Sequence, residues 1–256
     1  MAVSSYTGRH AEYYDIFYRD KPYASEAACV HQLFRKFTQG QCKRLLELAC
    51  GTGSHALELE KLGYEIVATD YSEDLLTIAR RKVKDAKSRV QIQVQDMRRL
   101  SVAGAPFDAA YCLFDSIGYV QTNAAIRQVL DGVHAHLRAG GLFVFEFWHA
   151  AAMLREFDPV RERRWKTPSG ELLRRATTKL DVAKQLAMVS YEIDELGENG
   201  NSAQVRETQV NRYFLVQEMA AFLENSDFQP LQFSAAYADG PIDESTWHIL
   251  AVARRD

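Results

Sequence analysis

The chain has 256 residues, 47% hydrophobic and 25% charged, a balance that suits one packed globular unit with room for an insertion. It excludes collagen-like, low-complexity and disulfide-scaffold classes. With 31 basic and 34 acidic residues the formal net charge is −3, and the densest basic run, Arg161 to Lys166, is interrupted by Glu162, so no nucleic-acid partner is expected.

The cysteines, Cys29, Cys42, Cys50 and Cys112, form no CxxC pair, which predicts free thiols in a reducing compartment and no metal site. The N-terminus lacks a signal-like apolar stretch, and no apolar run approaches the ~20 residues that span a bilayer. A cytoplasmic protein with no membrane partner is expected.

In chain order, residues 24–38 have helical spacing at Ala27, Val30, Phe34 and Phe37. The apolar run Leu45–Leu48 enters the turn Gly51-Thr52-Gly53, and a helix over 54–62 stops at Gly63. The alternation repeats: a strand over 65–69 ending at Asp70, a helix capped by Ser72, a strand at Val90, Ile92 and Val94 ending at Asp96, and a strand over 107–114. A helical stripe from Ile126 to Leu137 ends at Gly140-Gly141, before a fifth strand over 142–147.

Strands alternating with helices predict a doubly wound, mostly parallel α/β sheet that binds its ligand at the strands' carboxyl ends. After residue 155 the pattern changes. Segments 161–167, 171–180, 185–194 and 204–214 read as an antiparallel insertion with a polar turn over Gly197–Gly200. A helix over 217–226 and strands over 231–237 and 246–253 close the chain. The organisation expected is a helical cap (1–40), a cofactor-binding core (41–155), the β insertion (156–214), and a last helix and two strands that complete the core sheet to seven (215–256).

The central motif is Glu47-Leu48-Ala49-Cys50-Gly51-Thr52-Gly53. Its glycines let a ligand approach the backbone, and the next helix offers unpaired N–H groups. The spacing Gly51-x-Gly53-x-x-Ala56 alone fits NAD, FAD or S-adenosylmethionine, or a plain tight turn. Glu47, inside the strand, suits a cofactor with a cationic amino-acid end, because a carboxylate is costly to bury unpaired. Asp70 suits ribose hydroxyls. Asp96-Met97 suits an adenine amine and ring face, although Asp96 is also placed as a helix cap.

Together, residues 45–53, Ala68-Thr69-Asp70-Tyr71-Ser72 and Gln95-Asp96-Met97-Arg98 resemble the class I S-adenosylmethionine-dependent methyltransferases. The resemblance implies a Rossmann-like seven-stranded fold with S-adenosylmethionine as cofactor. It also implies that Glu47, Ala49, Gly51 and Gly53 surround the methionine part, Asp70 and Tyr71 the ribose and adenine, and Asp96 and Met97 the adenine, with Leu113 on the methyl-donor side. Tyr6-Thr7-Gly8, Ala11 to Asp15, Tyr23 and Phe114 to Tyr119 resemble the nucleotide-linked amino-sugar N-methyltransferases. That implies Tyr6, Tyr14 and Tyr23 closing over the cofactor and Tyr119 facing the acceptor. The loop 239–245 carries no arginine at a place where that family can engage a diphosphate.

Methyl transfer from a sulfonium needs alignment and exclusion of water, plus a base if the acceptor is a hydroxyl. Tyr119, His149, Glu146 and Asp115 are the candidates near the ends of the fourth and fifth strands. The expected activity is methylation of an amine or hydroxyl of a small polar metabolite, a sugar among them. The rival readings are an NAD-dependent oxidoreductase, for which no Tyr-x-x-x-Lys constellation is found, and a non-catalytic S-adenosylmethionine-binding module. Exposed edges of the insertion are compatible with a homodimer.

Overall fold

Three helices lead into the chain: α1 (Arg9–Glu12), α2 (Tyr14–Phe17) and α3 (Tyr23–Phe37). The core then alternates β1 (Arg44–Leu48), α4 (Ser54–Lys61), β2 (Glu65–Asp70), α5 (Glu73–Asp85), β3 (Gln91–Val94), β4 (Phe107–Cys112), α6 (Asn123–His136), β5 (Leu137–Trp148) and α7 (Ala150–Glu156). Four strands follow, β6 (Val160–Thr167), β7 (Gly170–Asp181), β8 (Leu186–Gly197) and β9 (Ser202–Arg212). The chain ends with α8 (Val216–Glu224), β10 (Phe228–Ala235) and β11 (His248–Arg255). This computed structural model describes residues 6–38, 42–168, 170–197, 202–238 and 240–256, so residues 198–200 of the expected polar turn and Asp239 of the arginine-free loop lie outside the described residues.

One seven-stranded sheet has the order β10-β11-β5-β4-β1-β2-β3, parallel except at β11, which runs antiparallel to both neighbours. Its central strands bury both faces, which is why they read as unbroken apolar runs. Leu46, Leu48, Ala110 and Cys112 face α6 and α8, while Leu45, Ala109 and Tyr111 face α3, α4 and α5. A second sheet, β6-β7-β8-β9, is an antiparallel meander. Trp165, Leu172 and Ile193 pack it against Tyr13 and Phe17, and Ala187 and Tyr213 pack it against Ala150 and Met153.

Two local expectations differ from the structure. The sixth helix does not run to the glycine pair: it stops at His136, and β5 already begins at Leu137, opposite Phe107. Gly140, at φ 72°, lies inside an irregularity of that strand, where a left-handed residue is accommodated without ending the pairing. β10 begins at Phe228 rather than 231, because Pro230 sits at a register shift on the edge strand, where its missing N–H costs no ladder bond, and β11 begins at His248 rather than 246, because Thr246 is tied into a turn with Asp243. Among the described residues, no helix is long and apolar enough to cross a membrane.

Candidate active site

The carboxyl ends of β1, β2 and β4 open onto a cavity of about 530 Å³ whose far wall is the second sheet. The turn after β1 is built from left-handed residues, Ala49 at φ 52°, Gly51 at 56° and Gly53 at 75°. At Gly51 a Cβ would stand 3.5 Å from the Tyr14 hydroxyl. Gly53 is the N-cap of α4. Asp70 ties the turn to the second strand: its Oδ2 accepts the Gly51 N–H at 2.9 Å and its Oδ1 the Ser72 N–H at 2.8 Å. Burial pushes the Asp70 carboxyl above its ordinary value, against the pull of these backbone donors. Asp70, Tyr71 and Met97 line one end of the cavity together with Ala49 and Gly51.

Beside the turn a pocket of about 20 Å³ collects Glu47, Ala49, Cys50, Tyr14, Tyr23 and Leu113. Glu47 is 2% exposed, and its Oε2 has no hydrogen-bond partner among the described residues. Burial pushes its carboxyl well above the ordinary value. An orphaned carboxylate at the end of β1 fits a ligand that brings its own ammonium group.

Three tyrosines roof this region. Tyr6 packs edge-on against Tyr14 and Tyr119, with centroids 5.2 and 6.4 Å apart. The Tyr119 hydroxyl donates to Gln209 Oε1 at 3.0 Å and lies 3.4 Å from the Tyr6 hydroxyl. Burial raises the Tyr6, Tyr14 and Tyr119 phenols well above their ordinary value, so they remain neutral hydrogen-bonding groups rather than bases. The segment that carries Tyr6 is strapped down at both sides: Glu207 on β9 accepts the Tyr6 N–H, and Ser72 donates to the Tyr6 carbonyl. Tyr23 lies deeper, edge-on to His55 at 4.8 Å, in the small pocket.

The remaining candidates are placed differently. Asp96 does not line the cavity; it accepts the Arg98 N–H as the cap of a short 3-10 turn and pairs with the Arg98 guanidinium at 2.6 Å, which lowers its carboxyl. His149 also stands outside the lining: it is 6% exposed, starts α7, and its Nδ1 meets the Thr246 carbonyl at 3.0 Å, so the ring joins β5 to the loop before β11. Glu146 lies behind the wall, where Oε2 accepts the Phe114 N–H at 2.9 Å and the Tyr237 hydroxyl at 3.1 Å. Of the four residues expected to act on the acceptor, Tyr119 and Asp115 line the cavity, and His149 and Glu146 do not.

Sequence reasoning overlooked the cavity's other wall. Register across the second sheet puts Thr178, Val189 and Gln209 in one row and Arg161, Ala176 and Tyr191 in the next, all lining the cavity. The signal was there in the alternation: Gln209 and Asn211, two apart on β9, are 3% and 4% exposed, polar residues at positions a solvent-facing strand leaves open. His248, at the start of β11, and Trp247 were likewise not assigned to the site and line it.

Residues 45–141 match the family described as methyltransferase domain. Over 141 residues the chain is 36% identical to a dTDP-3-amino-3,4,6-trideoxy-alpha-D-glucopyranose N,N-dimethyltransferase of Streptomyces venezuelae, covering 54% of this chain and 57% of that one. Over 147 residues it is 35% identical to a dTDP-3-amino-3,6-dideoxy-alpha-D-glucopyranose N,N-dimethyltransferase of Streptomyces fradiae, covering 57% and 55%. These matches span little more than half the length of either relative. In fold, the chain is similar to an S-adenosylmethionine-dependent methyltransferase from Clostridium acetobutylicum, with a TM-score of 0.83 at 18% identity over 96% of this chain and 98% of that one. It is also similar to an amino pentose methyltransferase from Micromonospora echinaspora, with a TM-score of 0.76 at 22% identity over 99% of both chains. Residues 45–141 thus match a methyltransferase domain, and the whole chain shares the fold of these solved methyltransferases.

Proposed function

We propose that the chain transfers the methyl group of S-adenosylmethionine to an amine of a small polar acceptor, a sugar amine being the class that the relatives' names suggest. The observation that carries this reading is continuity. One cavity runs from Gly51 and Asp70, at the ends of β1 and β2, to the aromatic and polar wall of the second sheet at Tyr191 and Gln209. Two ligands placed end to end would meet beneath Tyr6, Tyr14 and Tyr119.

When bound, the cofactor supplies a methyl group already activated on a cationic sulfur. The chain's own residues then bind, orient and exclude water. The orphaned Oε2 of Glu47 would hold the ammonium of the methionine end. Asp70 keeps lone pairs beyond its two amide bonds for ribose hydroxyls. Met97 would flank the adenine, and the tyrosine roof would keep solvent from the transfer. The acidic balance of the chain favours a small acceptor over nucleic acid. The outer edge of β6 is the strand edge through which two copies would pair, and light scattering that shows only monomer would remove that part of the reading.

The test is calorimetric titration of S-adenosylmethionine, S-adenosylhomocysteine and NAD, followed by turnover on a panel of amino sugars and hydroxyl acceptors. Binding of the sulfur ligands with methylation of an amine is expected. Binding of NAD alone overturns the reading, and sulfur-ligand binding without turnover on any acceptor turns it into a binding module.

A further inference from the structure

Where β4 and β5 end and β11 begins, three ionisable groups meet at the cavity wall. Asp115 and Glu146 are 2% and 3% exposed, and His248 stands at the start of β11. His248 Nδ1 lies 2.7 Å from Asp115 Oδ2 and 3.4 Å from Glu146 Oε1. Glu146 Oε2 is taken by the Phe114 N–H and the Tyr237 hydroxyl. One oxygen is left over: Oδ1 of Asp115 is buried and has no hydrogen-bond partner among the described residues, on a residue that lines the cavity.

Charge says what is missing. Two buried carboxylates share a single imidazolium, which leaves one negative charge uncompensated in an apolar wall. Lys21, the other cation whose charge acts on Asp115, is already paired with Glu26. Three of the four carboxylate oxygens and the imidazole Nδ1 are engaged, so the cluster is held together by its own hydrogen bonds. It presents one oxygen, which suits an N–H donor of a cationic ligand.

The position suits the acceptor. In the sheet order β5-β4-β1-β2-β3, the adenosine end of the cofactor site is at β2 and β3, and the loop after β4 lies on the opposite side of the glycine turn. Phe114 and Asp115 both adopt left-handed backbone, at φ 57° and 54°, which costs free energy and holds the carboxylate toward the cavity.

We propose that Asp115 receives the ammonium group of the acceptor, with His248 as the positioning residue that holds the carboxylate and Glu146 backing the cluster's negative charge. This rests on the methyltransferase reading above. One N–H bond of the ammonium breaks and an O–H bond forms on Asp115, leaving the nitrogen lone pair free. The nitrogen then bonds to the methyl carbon as the carbon–sulfur bond breaks, its electron pair staying on sulfur. The sulfonium becomes a neutral thioether, the product amine carries the positive charge, and the proton on Asp115 returns to water when product leaves.

The test needs no acceptor. Sinefungin carries an amine-bearing carbon where the cofactor has its methyl-bearing sulfur, whereas S-adenosylhomocysteine carries neither methyl nor charge there. Their dissociation constants are measured by calorimetry on the wild type, Asp115→Asn, Glu146→Gln and His248→Gln. The wild type is expected to prefer sinefungin by about tenfold or more, the scale of one charge-assisted hydrogen bond. Asp115→Asn and Glu146→Gln each remove the surplus charge and are expected to abolish most of that preference. His248→Gln is expected to keep it, because the surplus negative charge of the cluster remains. Each ratio is internal to one variant, so a general loss of stability cancels. A ratio that is the same in the wild type and both carboxylate variants overturns this inference alone. Failure of both ligands to bind the wild type overturns the methyltransferase reading and this inference together.

Discussion

The amide of Gly51 and the carboxylate of Asp70 are joined at 2.9 Å, so the first strand's turn and the second strand's end form one piece of the site. Asp70→Ala removes the acceptor of two buried backbone N–H groups, Gly51 and Ser72, as well as the partner proposed for the ribose. Loss of a hydrogen bond to a charged group costs about 1.5–3 kcal/mol. The dissociation constant for S-adenosylhomocysteine is therefore expected to rise by about a hundredfold, with a lowered melting temperature. Calorimetry on protein shown to be folded by circular dichroism checks this. An unchanged affinity would separate Asp70 from the ligand.

Gly118 sits where the 3-10 turn after β4 meets β9. A Cβ there would lie 1.8 Å from Asn211 Oδ1 and 2.6 Å from the Arg212 carbonyl oxygen. The second contact is with backbone, which does not move aside as a flexible side chain does. Gly118→Ala is expected to cost about 3 kcal/mol, at the upper end of overpacking effects. The reading is a lower urea midpoint, together with weaker acceptor turnover, because Tyr119 follows directly. A midpoint within error of wild type would mean that β9 docks less rigidly than this contact requires.

The cofactor half of the site was legible because its physics is local. A glycine turn after a buried strand, with acids at successive strand ends, places Glu47, Gly51 and Asp70 together through the parallel register of β1 and β2 alone. Asp96 shows the limit of that logic: the same strand-end position also makes it a cap, and Arg98, two residues on, claims the carboxylate. The cavity's other wall was legible only as a buried polar alternation at Gln209 and Asn211, because its placement depends on which face of a four-stranded meander turns inward. His248 lies 133 residues from Asp115, and only the antiparallel return of β11 beside β5 brings them to 2.7 Å. His149 looked catalytic by position, yet its hydrogen bond to Thr246 is a long-range brace that no local pattern announces.

The cluster at His248 also sets a pH dependence of stability. Desolvation opposes charging of the imidazole, but Asp115 and Glu146 outweigh it and raise His248 to about 10. Burial and the neighbouring Glu146 push Asp115 up to about 6. A histidine raised above its unfolded value of about 6.5 stabilises fully below that pH and loses the contribution as pH climbs through its folded value. Asp115 acts in a lower window: burying its charge costs stability above about 4, and that cost is complete past pH 6. Between pH 7 and 10 the change within the cluster therefore comes from His248, with Lys21 and Tyr237 the other ionisable groups facing it. Unfolding free energy from urea titrations is expected to fall more steeply over this range in wild type than in His248→Gln. Parallel curves would show that the imidazole is not held charged.

The N-terminal strap depends on one carboxylate of the second sheet. Glu207 accepts the Tyr6 N–H at 2.8 Å and the Thr7 N–H at 3.3 Å, and it lies 2.9 Å from His10 Nδ1. The His10 and Glu207 side chains are 1% and 8% exposed, so this is a buried anchor rather than a surface pairing. Tyr6 reaches the cavity from that anchor, which couples closure over the ligand to the insertion as well as to the core, where Ser72 and Asp74 hold the same segment. Glu207→Ala removes the acceptor for both amides and leaves His10 without its partner. Opening of the strap is then expected to become about 10- to 100-fold more frequent, the range for losing one charge-assisted hydrogen bond. Limited trypsin digestion at Arg9 reads this directly, and bound S-adenosylhomocysteine is expected to slow the cleavage in both proteins. Equal cleavage rates in wild type and Glu207→Ala would show that contacts of Tyr6 with Tyr14 and Ser72 hold the strap without β9, and that the two sheets close over the ligand independently.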